Sequence, residues 1–429
     1  MSKMTFSLPS GDLQTTCVNI MDGFFYMLGI FLVGFASVII SGLTYSFFYV
    51  ILPMIQRANP HNPLWVSLHI SFVAFLLINV LSNYFLCISA KHKGPLYDKV
   101  IRELAEATGF CHPETPQDVL QYKKDFEDRM IFRIQRRQAR RVEARQEQQQ
   151  VASSNSAETS GVTQRKTNGE STASNPANST SIPQPQQKKP AMPVRRWLIM
   201  GPHEWGFCDT SHQPKPPRSH FDHVTKQLVL NMDHYCPWMF NTVGYFNYRY
   251  FCNFLLFTVI GMTYGASLTW YPFSAVRSKE YHDQITLSRE QHSDEILHMY
   301  DYVPIPRERT AIAFSFLLCI SVGLAVSVLF GFHTYLLLTA QTTIEFHGNC
   351  ANRRRAKKMN KKYKNPYDLG MKRNFQQVYG SGNPLLAIII PSNREPEFLP
   401  LPIPGKEGFR PRNVGKKGQE EDALVPNIV

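Results

Sequence analysis

The sequence contains no Cys-x-x-Cys pair. Its eight cysteines are scattered over 429 residues, which excludes a disulfide scaffold and leaves them as free thiols. Four long windows have no Asp, Glu, Lys or Arg at all. Uncharged runs beyond about 20 residues are the mark of membrane-spanning helices. These windows show no internal repeat and no intramembrane Asp, Glu, Lys or Arg, so a small transporter is a poor reading. No basic n-region precedes the first apolar run, and that run is too long for a signal peptide, so it is expected to be retained. Acidic residues are also in short supply: 33 Asp and Glu stand against 46 Lys and Arg, a net charge of +13. Such a balance points to an anionic partner, either nucleic acid, an acidic lipid surface or a phosphorylated cofactor. The basic segments lack the aromatic or motif context of nucleic-acid binders, which leaves the other two.

The uncharged windows are residues 23–56, 64–89, 250–276 and 310–343. Each exceeds the roughly 20 residues needed to cross a hydrocarbon core. Pro53 is expected to close the first, and Lys91 and Lys93 stop the second. His69 and His333 lie inside spans and read as structural histidines. The chain divides into a cytosolic N-terminal segment (1–23), two transmembrane helices (24–90), and a hydrophilic insert (91–195). A compact region (196–249) precedes two further spans (250–343) with a lumenal connector (277–309), and a cytosolic tail (344–429) ends the chain. Within the insert, residues 117–150 read as a solvated helix with Arg136, Arg137, Arg140, Arg141 and Arg145 on a basic face. Residues 151–193 have the Ser/Asn/Gln/Pro composition of disorder and carry a glycosylation sequon at Asn178, unused if the insert is cytosolic. The tail opens with a basic block from Arg353 to Lys364 and its Pro/Gly/Lys-rich end is expected to be disordered.

Four spans put both termini on one side. Lys91, Lys93 and the basic tail block outweigh Arg277, Lys279, Arg307 and Arg309, so the insert and the tail are assigned to the cytosol. The fold class is an all-α membrane protein: four transmembrane helices, with a cytosolic region between the second and third.

The chemistry concentrates in residues 231–251, NMDHYCPWMFNTVGYFNYRYF. An acid, a histidine and a cysteine (Asp233, His234, Cys236) fall within four positions, one or two helical turns before a span. A free thiol titrates near 8.5 and only its thiolate is nucleophilic, so a neighbouring base helps. His234 can take the proton, and Asp233 can fix the His234 tautomer and stabilise the imidazolium. Neighbours in sequence are expected to need a tight, irregular turn to converge. The competing reading of the spacing alone is a buried structural cysteine beside a surface histidine.

This stretch resembles the DHHC-type protein S-acyltransferases. The match runs through Asp233, His234, Cys236, Pro237, Trp238, Asn241, Gly244, Asn247 and Phe251. Thr342-Thr343-Ile344-Glu345 is similar to the family's Thr-Thr-x-Glu motif, Asn365-Pro366-Tyr367 to its Asn-Pro-Tyr element, and Asn374, Phe375, Tyr379 and Gly380 to its short C-terminal element. Among subgroups, the first two spans and the tail look most like the vertebrate type numbered sixteen. The resemblance implies a long-chain acyl-CoA (palmitoyl-CoA or similar) as co-substrate and an S-acyl intermediate on Cys236. It further implies protein substrates with membrane-proximal cysteines, a place in the endoplasmic-reticulum or Golgi membrane, and an active site facing the cytosol. It makes Thr343 the residue that orients Asp233, and Arg249 and Trp238 candidate contacts for acyl-CoA, with the 353–364 block a further phosphate candidate.

The family holds two zinc ions. The first site's positions fall here on Cys208, Ser211, Phe221 and Leu228, the second's on Asp222, Thr225, Tyr235 and Thr242. Only Cys208 is a thiol, so the region 196–249 is a degenerate version of the family domain, in a DHYC variant, and the zinc ions are expected to be absent or reduced. Cys208, His212, His220 and His223 are a substitute set with tetrahedral donor chemistry. Two functions follow from the resemblance. One is an active S-acyltransferase, favoured by the intact Asp233-His234-Cys236; the other is a catalytically silent membrane scaffold, favoured by the stripped metal ligands.

Overall fold

A computed structural model describes residues 10–159, 200–280, 282–283, 286–287, 304, 306–402 and 409–412. The chain forms two compact units. One holds residues 1–112, 208–211 and 215–429; the other holds 113–207 and 212–214. The segment expected to be disordered lies outside the described residues from 160 to 193, as do the sequon at Asn178 and the chain end from 413.

In the first unit the uncharged windows become helices because backbone N–H and C=O groups have no other partner in lipid. They are α1 (Ser10–Ser46), continued by a π-helical turn (Phe47–Ile51) and α2 (Leu52–Ala58), then α3 (Pro63–Ser89). After α4 (Pro95–Thr108) and the second unit's α5 come α6 (Tyr248–Ala275) and α7 (Arg309–Leu338). Four stretches are long and apolar enough to cross a membrane: Met21–Ala58, Pro63–Ser89, Tyr248–Ala275 and Arg309–Leu338. Pro53 does not close the first of them. The π turn just before it widens the ladder where the proline ring would meet the carbonyl four residues back, and the helix runs on to Ala58. Asn62 caps α3 through its side chain, accepting from Trp65 N at 3.1 Å, with Pro63 as the first helical residue.

Spans α6 and α7 approach closely through glycine. A Cβ on Gly265 would lie 2.8 Å from Cys319 Sγ, and one on Gly323 would lie 3.1 Å from Met262 Cβ. His69 hydrogen-bonds Tyr264 across α3 and α6 and packs edge-on against Trp65. At the far end of the bundle Arg57 pairs with both carboxylate oxygens of Glu308, at 3.0 and 2.8 Å.

The region before α6 is built from short hairpins that an all-α reading omits. Strands β3 (His220–Asp222) and β4 (Gln227–Val229) pair antiparallel, as do β5 (His234–Cys236) and β6 (Asn241–Val243); they follow β1 (Gly206–Cys208) and β2 (Gln213–Lys215). Each ladder is three residues long, too short to show a period of two in the sequence. Past α7, the chain forms α8 (Thr343–Lys358), α9 (Met371–Tyr379), α10 (Pro384–Ile389) and a final hairpin of β7 (Phe398–Pro402) and β8 (Phe409–Pro411). The fourth window is therefore shorter than its uncharged run: α7 stops at Leu338, Ala340 is left-handed (φ 48°), and Thr343 opens a new helix.

The second unit is organised on α5 (Pro116–Thr159), which extends beyond both ends of the expected 117–150 helix. Its Phe126 and Met130 bury against Phe207, flanked by Val119, Tyr122 and Ile134 at helical spacing. Arg133 grips Glu204 bidentately at 2.6 and 2.7 Å. Arg136, Arg137, Arg140, Arg141 and Arg145 lie on the exposed part of the helix.

Candidate active site

Asparagines place the β5–β6 hairpin. A helix leaves its last carbonyls without intrahelical partners. At the end of α3 these are taken by the β5–β6 hairpin: Asn241 Nδ2 donates to the carbonyls of Cys87, Ile88 and Ala90 at 3.0, 3.1 and 2.9 Å. Asn247 Nδ2 donates to Thr242 O at 2.9 Å and Cys87 O at 3.3 Å, while its Oδ1 accepts from Gly244 N at 2.8 Å. Gly244 admits no side chain, because a Cβ there would meet Val229 Cγ1 at 2.6 Å and the Leu230 carbonyl at 3.0 Å. The end of α7 is closed in the same manner. Asn365 donates to Thr339 O at 2.8 Å and Asn374 to Leu338 O at 2.7 Å.

The expected tight turn at Asp233–Cys236 is not what forms. In β5 residues two apart share a face, so His234 and Cys236 point the same way from an ordinary strand. The turn comes afterwards, at Pro237–Met239 and the left-handed Phe240. His234 Nδ1 donates to Asp233 Oδ2 at 2.6 Å, and Cys236 follows two residues on along the same strand. Burial alone would lower the His234 pKa. The Asp233 and Cys236 partners override it and lift the imidazole to about 9. Burial would raise Asp233, but hydrogen bonds and charge from His234, the His333 side chain and the Thr343 N–H hold its carboxyl below the usual carboxylate range.

Thr343 reaches Asp233 twice. Its N–H donates to Oδ1 and its hydroxyl to Oδ2, both at 2.8 Å. This is possible because Thr343 is the first residue of α8, whose N-terminus favours an anion. Thr342 and Glu345 form a reciprocal capping box behind it, with distances of 3.2 and 2.9 Å.

His333, read from sequence as a structural histidine of the bundle, stands at this site. Its Nδ1 is 3.9 Å from Asp233 Oδ2 and its ring is 5.5 Å from that of His234. Nothing in the local sequence of an apolar span marks it; only the crossing of α7 over β5 brings it there. Trp238 is 45% exposed, with its ring 6.3 Å from that of Phe35. Arg249 is buried, and Nη2 donates to the carbonyls of Ser392 and Arg394 at 2.9 and 3.2 Å. The tail thus holds one nitrogen of the guanidinium.

Cys236 and Trp238 stand at one end of an apolar cavity of about 580 Å³ between the four spans. Along α6 the lining runs from Phe251 to Gly265, about 21 Å at 1.5 Å per residue. Among the described residues, no Asp, Glu, Lys or Arg lines it.

The eight positions where a zinc pair would be held do not fit that metal. Phe221 and Leu228 face each other across the β3–β4 ladder. Asp222 Oδ2 accepts from Thr225 N at 2.9 Å, Thr225 Oγ1 at 2.6 Å and Thr242 Oγ1 at 2.7 Å. The half-buried Tyr235 phenol, partly desolvated and near the Asp222 carboxylate, is pushed up to about 12 and stays protonated. Hydroxyls and a neutral phenol are not the thiolates and imidazoles that zinc takes. The substitute set does not assemble either. Among the described residues, the one group of three ligand atoms within 4.8 Å of one another is Asp233, His234 and His333, and it excludes Cys208, His212, His220 and His223.

Residues 202–349 match the family model described as DHHC palmitoyltransferase. The chain is 31% identical over 210 residues to "Probable protein S-acyltransferase 16" of Arabidopsis thaliana, covering 49% of this chain and 65% of the relative. It is 25% identical over 228 residues to "Palmitoyltransferase ZDHHC16A" of Danio rerio, covering 44% and 56%. It is 32% identical over 204 residues to "Palmitoyltransferase ZDHHC16" of Homo sapiens, covering 44% and 53%. The matched part thus spans between 53% and 65% of these curated relatives.

Proposed function

We propose that this chain, which carries a DHHC palmitoyltransferase domain over residues 202–349, is a protein S-acyltransferase acting through Cys236. The observation that carries the reading is the hydrogen-bonded Asp233–His234 pair beside Cys236 at the head of the apolar cavity. His234, lifted to about 9, takes the thiol proton and holds it as an imidazolium beside the sulfur. The Cys236 sulfur attacks the thioester carbonyl of a long-chain acyl-CoA, the bond from carbonyl to CoA sulfur breaks, and the proton passes to the departing CoA thiolate. A cysteine of a protein substrate then attacks the Cys236 thioester, takes the acyl group and returns the thiol. Asp233, held by Thr343, keeps the imidazole in the tautomer that accepts from sulfur. The acyl chain lies in the cavity, where each buried CH₂ contributes about 0.8 kcal/mol. The exposed basic residues from Arg353 to Lys364 are the candidates for the CoA phosphates and for anionic lipid. The site faces the cytosol of an endoplasmic-reticulum or Golgi membrane, on the side carrying that basic tail. The hairpins are held by the Asp222–Thr225–Thr242 hydrogen bonds in place of zinc.

Incorporation of alkyne-tagged palmitate into the purified protein tests this reading. The expected label is cleaved by hydroxylamine and lost in Cys236→Ala. Absence of label from folded protein, or label unchanged in the variant, leaves the silent scaffold that the missing zinc donors favour.

The cavity gives a second expected result. A Cβ at Gly261 would touch nothing within 4 Å, and Gly261 lines the cavity. In Gly261→Phe the ring fills that space and displaces the end of a long chain. Excluding about four methylenes costs about 3 kcal/mol, or roughly two orders of magnitude in palmitoyl-CoA use. Labelling with a ten- to twelve-carbon acyl-CoA is expected to persist. Competition between acyl-CoA lengths reads this out; an unchanged preference would remove the chain from this cavity.

A further inference from the structure

Arg218 is outside every motif that marks the site, yet its side chain is only 1% exposed. Nε donates to Glu345 Oε1 at 2.7 Å, and Nη2 to Glu345 Oε2 at 2.7 Å and to the Ala340 carbonyl at 3.0 Å. Nη1 donates to the Pro400 carbonyl at 2.7 Å, and the guanidinium lies 4.2 Å from the centre of the Tyr367 ring. The backbone at Arg218 is left-handed, with φ 60°. That conformation is uncommon for a long side chain and persists where the surroundings over-determine it. Lysine does not reproduce these contacts, because its single ammonium lacks the planar fork that meets both oxygens of a carboxylate.

What Arg218 grips is the acid of the capping box. Glu345 accepts the Thr342 N–H, and the same first turn aims the Thr343 N–H and hydroxyl at Asp233. The Ala340 carbonyl lies in the link between α7 and α8, so Arg218 fixes that turn from both sides. We propose that Arg218 is a positioning residue for formation of the acyl-enzyme. It clamps Glu345 and the Ala340 carbonyl, so that Thr343 holds the Asp233 carboxylate on His234. It touches neither substrate nor the reacting sulfur. Its effect passes through Thr343, where a shift of about 1 Å in a supporting group can cost about 100-fold in rate. The inference rests on the S-acyltransferase reading.

The test is the rate of acyl-enzyme formation over a range of palmitoyl-CoA concentrations, in the full chain in detergent. Arg218→Gln is expected to lower the limiting rate about 10- to 100-fold, with the KM for acyl-CoA held within about twofold because the cavity is untouched. Arg218→Lys should recover part of the loss. Combined with Thr343→Val, Arg218→Gln should add no more than about a further twofold, because both act on one contact. Arg412 supplies the control. It is equally buried and donates to Glu103 Oε2 at 2.7 Å. Arg412→Gln should lower the melting temperature, leave the limiting rate near wild type and multiply independently with Thr343→Val. The proposal is overturned if Arg218→Gln keeps the wild-type limiting rate, or if its loss multiplies fully with that of Thr343→Val. It is also overturned if neither Arg218 variant folds where Arg412→Gln does. Wild-type protein that forms no acyl-enzyme refutes the acyltransferase reading instead.

Discussion

Asp233→Asn is expected to slow acyl-enzyme formation at pH 7 by about 10²- to 10⁴-fold, the range seen when the acid of a catalytic triad becomes an amide. Asp233 is 1% exposed and accepts three hydrogen bonds, from His234 Nδ1 and from the Thr343 N–H and hydroxyl. An asparagine satisfies donors with one atom only and turns an N–H₂ toward the rest. His234 then does best with Nδ1 as acceptor and Nε2 protonated, the tautomer that cannot take a proton from Cys236. Raising the pH should return part of the rate, because hydroxide can then remove the thiol proton without the histidine. Stability gives an independent readout. His234 rises from an ordinary 6.5 to about 9 in the folded protein, so its proton stabilises the fold. That contribution is full below pH 6.5 and is lost as pH rises through about 9. Melting temperature in wild type should fall across this window, and the fall should flatten in Asp233→Asn. A variant labelling at the wild-type rate at pH 7 would remove Asp233 from the mechanism.

The parts of this arrangement that could be read in advance are those that physics imposes locally. A bilayer demands uncharged runs, so the four spans were legible to within a few residues at most boundaries. The end of α7 was not, because Thr339 to Thr342 are as uncharged as the span before them. The capping box Thr342-x-x-Glu345 was the signal there, since a side chain that bonds N3 begins a helix. Asp233, His234 and Cys236 were legible as a set through their motif, but their convergence by strand alternation was not, because a three-residue ladder has no visible period. His333 and Arg218 were illegible for a different reason. Each acquires its role only through contacts with distant segments, on Asp233 and on Glu345. The tail carbonyls on Arg249 Nη2 were illegible for the same reason, because Ser392 and Arg394 lie far along the chain.

Asp222→Ala should produce the largest loss of stability among the hairpin substitutions, and metal chelation of the wild-type chain should produce none. Asp222 is 5% exposed, and Oδ2 takes the Thr225 N–H and the hydroxyls of Thr225 and Thr242, while Oδ1 lies 3.3 Å from Val224 N. Thr242 is fully buried, and its backbone is used from three directions. Its carbonyl accepts from His92 Nε2 at 2.8 Å and Asn247 Nδ2 at 2.9 Å, and its N–H donates to Asn241 Oδ1 at 2.8 Å. The carboxylate therefore joins β3–β4 to the hairpin that carries Cys236. Removing it strands buried donors at about 1–3 kcal/mol each, a total of about 3–5 kcal/mol against a domain stability of about 5–15 kcal/mol. Thermal unfolding in detergent should show a drop of roughly 10 °C or more, with acylation lost at the higher temperatures first. The reverse substitution sharpens the argument. Putting thiols at Asp222, Thr225 and Thr242 and an imidazole at Tyr235 places a tetrahedral donor set where the hydrogen bonds were. The fourfold variant should bind zinc, and its melting temperature should become sensitive to chelator as metal binding and folding couple. Chelator-sensitive melting of the unaltered chain would contradict the hydrogen-bonded reading of this cluster. An insensitive wild type beside a sensitive variant would mean that one position in the fold accepts either a metal or a carboxylate, and that the catalytic hairpin needs only that one of them be there.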